Sequence, residues 1–552
     1  MMSRSAKRTP NASVCSTGLM AVPGSRGERS CPNGQALDAV PGPVLKPRKP
    51  GDEEKPMQMK WSRYNHMFRS ERHGPFVYNS LSNRLLKLDE KHFRWLEIVR
   101  KCGGVPDAKI ADGADLSMYR EFMDLLRASQ MLVNECGDER GLARYHYMRN
   151  ASCYDSNTLS LTLCPTLACN FHCAYCFEPR CKNDQVMTPK TIERLIEFVN
   201  RHATARRFTV AWYGGEPTLA WGVIEETTRR LLDLKIECQN IRLITNGYLL
   251  TGEKIDRLNE LHIEMIQITL DGPREVHDQR RLLAGGRPTY DRIMENITRL
   301  FDSSYSGGLH IRVNVDRSNA DAYHEYRAEL RERFEGLPVT VASGHIYSGL
   351  VGREQRFAYD CSCPLNMESW VDFKLECRRR SGLAGDAVSL FPHPSPEHGV
   401  CTMNRHLGYV VGPAGEIYKC WENVGNPAMV VGDLHAEEPI TNPDLRAMFA
   451  VSTDPYTDPE CRTCSVLPIC GGGCVNMRYL TRCQGETALD YCSPYKKNLP
   501  RMLEEYYEIV NAGEILASLL KDGKDETPNH GYRDVSPRPL IESAPPAGPA
   551  QS

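Results

Sequence analysis

The 552-residue chain has no run of eighteen apolar residues, so no membrane-spanning helix is expected. Its N-terminus lacks the apolar segment of a secretory signal, which argues against export. Net charge is nearly absent. The 68 Lys and Arg against 70 Asp and Glu leave −2, which removes any global electrostatic case for nucleic acid or an anionic membrane as partner. Aromatic residues are almost missing from residues 1 to about 60, a stretch rich in Pro, Gly and Ser that reads as disordered. Up to Pro50 this stretch carries eight basic residues (Arg4, Lys7, Arg8, Arg26, Arg29, Lys46, Arg48, Lys49) against Glu28 and Asp38, the pattern of a solvated basic tail. Cysteine, by contrast, is plentiful, at 22 residues. In a small secreted protein that would mean disulfides. In a chain long enough for several domains of ~150 residues, with cysteines in ligand-like spacings, it points to metal in a reducing, oxygen-poor cytoplasm.

The densest spacing is Cys169-x3-Cys173-x2-Cys176, directly after the strand-like run Leu159–Leu163. Three thiolates within eight residues suit three irons of a cubane cluster and leave the fourth iron open to a substrate or cofactor. A structural zinc loop or three unrelated buried thiols are the alternatives, but zinc sites usually pair C-x2-C units with a second half nearby. With Tyr175 just before the last cysteine, the motif resembles the C-x3-C-x-aromatic-C signature of the radical S-adenosylmethionine (SAM) superfamily. That resemblance implies a [4Fe–4S] cluster that binds SAM and cleaves it to a 5'-deoxyadenosyl radical.

From about 155 to 345, candidate strands (Leu159–Leu163, Phe208–Tyr213, Ile241–Thr245, Met265–Leu270, Leu309–Val315, Val339–Ala342) alternate with helical stretches, which predicts a parallel sheet. One such helix, Lys190–Asn200, places Ile192, Leu195, Ile196 and Val199 at helical spacing, with Thr188 and Pro189 as cap and first-turn proline. Six such units give an α/β fold, a partial (β/α)6 TIM-type barrel, with functional loops at the C-terminal ends of its strands. Those loops hold further matches to the radical SAM pattern. Tyr213-Gly214-Gly215-Glu216-Pro217 resembles the GGEP motif, whose backbone and Glu contact the SAM amino group. Thr245-Asn246-Gly247 resembles a TNG motif. Gln267 to Pro273 resembles QISLDGP, in which the position of Thr269 faces the SAM ribose and Asp271 follows. His277, Asp278, Arg280, Arg281 and Gly286 to Tyr290 continue the pattern. The resemblance thus makes Tyr175, Gly214, Gly215, Glu216, Pro217, Thr245, Asn246, Thr269 and Asp271 the cofactor-binding candidates.

Residues 61–152 read as a small α+β domain. Gly74–Asn79 is a strand, Asp89–Val99 a helix capped by Asp89, Leu116–Leu126 a second helix and Met131–Val133 a strand. This order is similar to the winged-helix-like peptide-recognition domains of radical SAM peptide maturases, and a docking domain is the alternative. Residues 346–400 read as a bridge that includes Cys361, Cys363 and Cys377. In residues 401–495, Cys401, the run Gly415-x4-Cys420, then Cys461-x2-Cys464-x5-Cys470-x3-Cys474, Cys483 and Cys492 resemble the Cys-rich SPASM domain. The resemblance implies two auxiliary [4Fe–4S] clusters, one on Cys401, Cys420 and Cys474, the other on Cys461, Cys464, Cys470 and Cys492. The first auxiliary cluster either keeps an open iron or takes Cys361 or Cys363, and zinc is the alternative metal. Residues 496–521 form an amphipathic helix, with Leu499, Met502, Leu503, Tyr506, Ile509 and Val510 on one face, and 522–552 a disordered tail.

The function these matches imply is modification of a ribosomally made peptide or protein by hydrogen abstraction, forming a thioether or carbon–carbon crosslink. A flavodoxin or ferredoxin would donate the electron. The alternatives are an anaerobic sulfatase-maturating enzyme that forms formylglycine, and a non-catalytic iron–sulfur or zinc scaffold. Sulfatase maturases carry an Asp after the G-x4-C cysteine as candidate base. Here Trp421 stands in that place, with Glu422 one further on.

Overall fold

The computed structural model describes residues 59–105, 116–176, 184–202, 204–346, 363–381, 392–485, 491–520 and 532–534. The basic tail, Cys361 and most of the C-terminal tail lie outside the described residues.

The N-terminal module opens with strands β1 (Lys60–Trp61), β2 (Asn65–Ser70), β3 (Gly74–Asn79) and β4 (Arg84–Leu88). The helices Glu90–Lys101 and Leu116–Ala128 follow, then β5 (Leu132–Val133) and the helix Gly137–Cys153. The Asp89 side chain accepts from His92 N–H and caps the first helix. Strands β2, β3 and β4 form an antiparallel sheet. β3 alternates faces as a strand must. Val77 packs with Phe93, Leu96 and Phe122 of the two helices, while Phe76 and Tyr78 pack with Leu499, Leu503 and Tyr507 of the C-terminal helix Tyr495–Leu520.

The core sheet is built from β6 (Thr158–Leu163), β7 (Arg207–Trp212), β8 (Glu237–Thr245), β9 (Ile263–Thr269), β10 (Gly308–Val315) and β11 (Val339–His345), all parallel and paired in chain order. Each observed strand contains all or nearly all of its expected residues, because each is an apolar run too short for a helix. The crossover helix Pro189–Arg201 buries Ile192, Leu195, Ile196 and Val199 and is capped by the Thr188 side chain on Thr191 N–H.

Three observations depart from the expected division. β12 (Gly408–Val411) runs parallel to β6, with Tyr409 opposite Leu161, and carries β13 (Glu416–Tyr418) and β14 (Gly432–Asp433) in antiparallel order. The segment expected to begin a separate Cys-rich domain therefore continues the core sheet, giving nine strands in the order β11-β10-β9-β8-β7-β6-β12-β13-β14. The segment expected as a bridge contains the helix Met367–Ser381, whose arginines in the last turn hide its apolar face in the sequence. Within the tail expected to be disordered, β15 (Tyr532–Asp534) pairs antiparallel with β4. An edge strand offers unpaired backbone groups that a short segment can satisfy with no side-chain pattern of its own. Among the described residues, no helix is long and apolar enough to cross a membrane.

Candidate active site

The three-cysteine loop leaves the C-terminal end of β6, beside the ends of β7 and β8. Phe171 N–H donates to Cys169 Sγ at 3.4 Å, and Cys176 N–H donates to Cys173 O at 3.2 Å. Packing pushes the Cys169 thiol up, and the nearby Glu216 carboxylate, Cys173 and Cys176 push it further. All three sulfurs therefore share one electrostatic neighbourhood. The next loop lies directly on this one. Glu216 N–H donates to Ala168 O at 2.9 Å. A Cβ on Gly215 would come within 2.3 Å of the same oxygen, so only glycine permits that approach.

Glu216 is buried and ties three loops together. Its Oε1 accepts from Thr218 N–H (3.1 Å), Thr218 Oγ1 (2.5 Å) and Thr245 Oγ1 (2.6 Å), and its Oε2 from Asn246 N–H (2.7 Å). Asn246 Nδ2 in turn donates to Asn170 Oδ1 in the cysteine loop at 2.8 Å. Two oxygens offer about four acceptor positions, and Oε2 has taken one donor, so it can accept another.

A second network holds Tyr175. Its hydroxyl donates to Asp271 Oδ2 at 2.5 Å and accepts from Arg281 Nη1 at 2.6 Å and Asn314 Nδ2 at 3.3 Å. Asp271 also accepts from Arg280 Nε at 3.4 Å and, through Oδ1, from Asn314 N–H at 3.2 Å. Asp271 is fully buried, and these contacts engage it in positioning Tyr175. Burial works against the charge on Arg281, but Cys173, Tyr175 and Asp271 outweigh it and hold its pKa well above the usual value. Thr269, at the end of β9, is almost buried.

The C-terminal cysteines form two groups. Burial pushes the Cys420 thiol well up, with Glu422, Cys401 and Cys474 adding to it; Cys474 is pushed up to about 11 by burial, then by Glu422 and Cys401. Burial likewise raises Cys461 and Cys470. Cys461 is coupled to Cys464, and Cys470 to Cys492 and Cys461. Burial raises the Cys483 thiol as well, with Arg478 opposing. Gly471, Gly472 and Gly473 all have positive φ, and a Cβ on Gly473 would lie 1.7 Å from Tyr491 O. The glycine run thus draws the segment carrying Cys492 against the turn carrying Cys474. Cys363 O accepts from Arg317 N–H at 2.9 Å, which places Cys363 beside the loop after β10. Sulfur-only donor sets of three, three and four, with backbone N–H groups aimed at individual sulfurs, fit iron–sulfur clusters.

A cavity of about 1190 Å³ lies beside both C-terminal groups, lined by Cys470, Cys474 and Cys492 and reaching His345 at the end of β11. Trp421 is 46% exposed and stacks on Tyr213, with ring centroids 5.7 Å apart. Glu422 Oε2 accepts from Asn476 Nδ2 at 3.1 Å. The sequence motifs do not single out the roles of Arg281, Arg478 or the Trp421–Tyr213 pair. Arg281 stands within the matched pattern without an assigned role, and Arg478 leaves a local trace, standing four residues after Cys474 and so on the same helix face.

A profile of the radical SAM superfamily matches residues 163–325. The serine-type anaerobic sulfatase-maturating enzyme of Bacteroides thetaiotaomicron is 24% identical over 363 residues, covering 59% of this chain and 85% of that one. The cysteine-type anaerobic sulfatase-maturating enzyme of Clostridium novyi is 23% identical over 372 residues, covering 62% and 96%. The solved structure of native anSMEcpe with bound AdoMet and Cp18Cys peptide aligns with a TM-score of 0.49 at 20% identity, covering 66% of this chain and 100% of that one. The superfamily implies a [4Fe–4S] cluster and SAM. The chain carries a radical SAM domain over residues 163–325, homologous to those of the anaerobic sulfatase-maturating enzymes, and it is an enzyme.

Proposed function

We propose that this enzyme modifies a ribosomally made peptide or protein by abstracting hydrogen from a substrate carbon, and that the product is a thioether or carbon–carbon crosslink. The observation that carries this reading is the pair of further cysteine groups beside a cavity that reaches the C-terminal end of the core sheet. Such an arrangement suits a substrate whose reaction needs auxiliary iron–sulfur sites in addition to SAM. In this reading Cys169, Cys173 and Cys176 hold the SAM-binding cluster. Cys401, Cys420 and Cys474 hold a second, and Cys461, Cys464, Cys470 and Cys492 a third. When bound, the first cluster and SAM supply a 5'-deoxyadenosyl radical.

The chain's own residues bind and orient. Glu216 Oε2 takes the SAM ammonium at its remaining acceptor position, and Gly214, Gly215 and Pro217 bring backbone close to it. Thr245 and Asn246 fix Glu216, and Thr269 offers a hydroxyl to the ribose. Asp271 keeps Tyr175 against the cysteine loop. A flavodoxin or ferredoxin supplies the electron, and the module around β2–β4 serves as the peptide-recognition or docking domain.

The second reading is a sulfatase maturase, and the relatives' names favour it. Its chemistry needs a base within hydrogen-bond reach of the substrate proton. Trp421 follows Cys420 directly, and Glu422 is held by Asn476, which weighs for crosslinking. The test uses anaerobically reconstituted, dithionite-reduced protein with SAM and cysteine-containing peptides. Release of 5'-deoxyadenosine, with loss of a hydrogen pair and of an alkylatable thiol, supports a thioether. An aldehyde trapped as a hydrazone supports formylglycine instead. Failure to form 5'-deoxyadenosine overturns both readings.

A further inference from the structure

Two cationic side chains donate to sulfurs of the four-cysteine group. Arg478 Nη1 lies 3.2 Å from Cys461 Sγ, and Lys496 Nζ lies 3.6 Å from Cys492 Sγ. The two contacts differ in setting. Arg478 is 1% exposed on the helix Val475–Gln484, and its guanidinium lies 5.2 Å from the ring centroid of Tyr491, next to Cys492. Its Nη2 donates to Asp458 Oδ2 at 2.6 Å, and its buried Nε has no partner among the described residues. Asp458 also accepts from Cys461 N–H at 3.1 Å, so one carboxylate fixes both the arginine and the backbone of the cysteine it faces. Removing a guanidinium from water costs several kcal/mol, and a simple structural pair is often replaceable by apolar residues without loss. Here the fork is divided, with one nitrogen on carboxylate and one on sulfur. Lys496, by contrast, sits on an exposed turn of the C-terminal helix.

Hydrogen bonds to cluster sulfurs and nearby positive charge favour the state with more negative charge on sulfur, which is the reduced one. The Asp458 carboxylate offsets much of the arginine's net charge, but the guanidinium end of that pair is the end at the sulfur. We propose that Arg478, aided by Lys496, sets the reduction potential of a cluster held by Cys461, Cys464, Cys470 and Cys492, raising it. Reduction there adds one electron from an external one-electron carrier and moves no atoms. The inference rests on the auxiliary-cluster reading above.

The test is an EPR-monitored redox titration of the full-length, anaerobically reconstituted protein, with the signal assigned by its loss in Cys464→Ala. Iron content is measured beside it. The midpoint of that signal is expected to move to a more negative potential in Arg478→Gln, with iron unchanged, and to return part of the way in Arg478→Lys. Lys496→Gln is expected to give a smaller negative shift that fades at high salt, because exposed charges are screened. Arg501→Gln, an exposed arginine on the helix of Lys496 paired with Asp372, is expected to leave the midpoint in place. An unchanged midpoint in Arg478→Gln at full iron content overturns the proposal. If Arg478→Gln loses iron, an unchanged midpoint in both Arg478→Lys and Lys496→Gln at low salt overturns it. Zinc instead of iron at these cysteines in the wild type would defeat the underlying reading, and that result is visible in the metal content ahead of the titration.

Discussion

The carboxylate of Glu216 joins the loops after β7 and β8 through Thr218, Thr245 and Asn246, and its backbone N–H reaches the loop after β6 at Ala168 O. In Glu216→Gln the amide nitrogen must face one of those donors. One buried donor then goes unpaired, at about 1–3 kcal/mol. The lost charge-assisted contact to an ammonium is worth about 1.5–3 kcal/mol, or tenfold or more in affinity. The variant is therefore expected to bind SAM about tenfold or more weakly by calorimetry, and to unfold earlier in urea. Tyr175→Phe makes a different prediction. It strips one bond each from Asp271, Arg281 and Asn314, which should cost about 1–3 kcal/mol in urea unfolding. Iron at the loop should be retained, since the three thiols remain. Iron loss in Tyr175→Phe would show that the hydroxyl network, not the cysteines alone, secures the loop.

Elements with a strong internal pattern are legible in the amino-acid sequence alone. β6 to β11 are apolar runs bounded by turns, and the helix Pro189–Arg201 announces itself through Thr188, Pro189 and a clean apolar face. Elements whose partners are remote are not. β2, Asn65–Ser70, has no alternation, because one of its faces is completed by the C-terminal helix more than four hundred residues later. β12 joins β6 through backbone register, and β15 joins β4 in the same way. Deleting residues 522–552 removes β15, so faster hydrogen exchange is expected at the β4 amides with little change in global stability. Unchanged exchange there would mean that β15 does not protect this edge in solution. Leu503 lies at 0% exposure between the β3 face and the C-terminal helix. Leu503→Ala is expected to cost about 2–5 kcal/mol and to expose that helix to limited proteolysis.

At the scale of the whole molecule, the sequence motifs and the fold converge on one end of the core sheet. Cys169, Cys173 and Cys176, Glu216, Thr245 and Asn246 stand out by spacing and resemblance, and the fold brings them together at the strand ends. The partition of the C-terminal cysteines into Cys401, Cys420, Cys474 and Cys461, Cys464, Cys470, Cys492 is likewise readable from the resemblance. The roles of the charged residues around these groups are less legible, because Arg478 meets the Cys461 sulfur from the next helix and Asp458 joins the two only in the folded chain. Glu216→Gln and Arg478→Gln therefore test two separate layers, SAM binding at the strand ends and cluster potential at the far group. The most direct test of the central claim is iron and sulfide per chain after anaerobic reconstitution, in the wild type and in a Cys169→Ala, Cys173→Ala, Cys176→Ala triple variant. Three [4Fe–4S] clusters predict about twelve irons falling to about eight, whereas about four irons with zinc retained in both proteins would contradict the account.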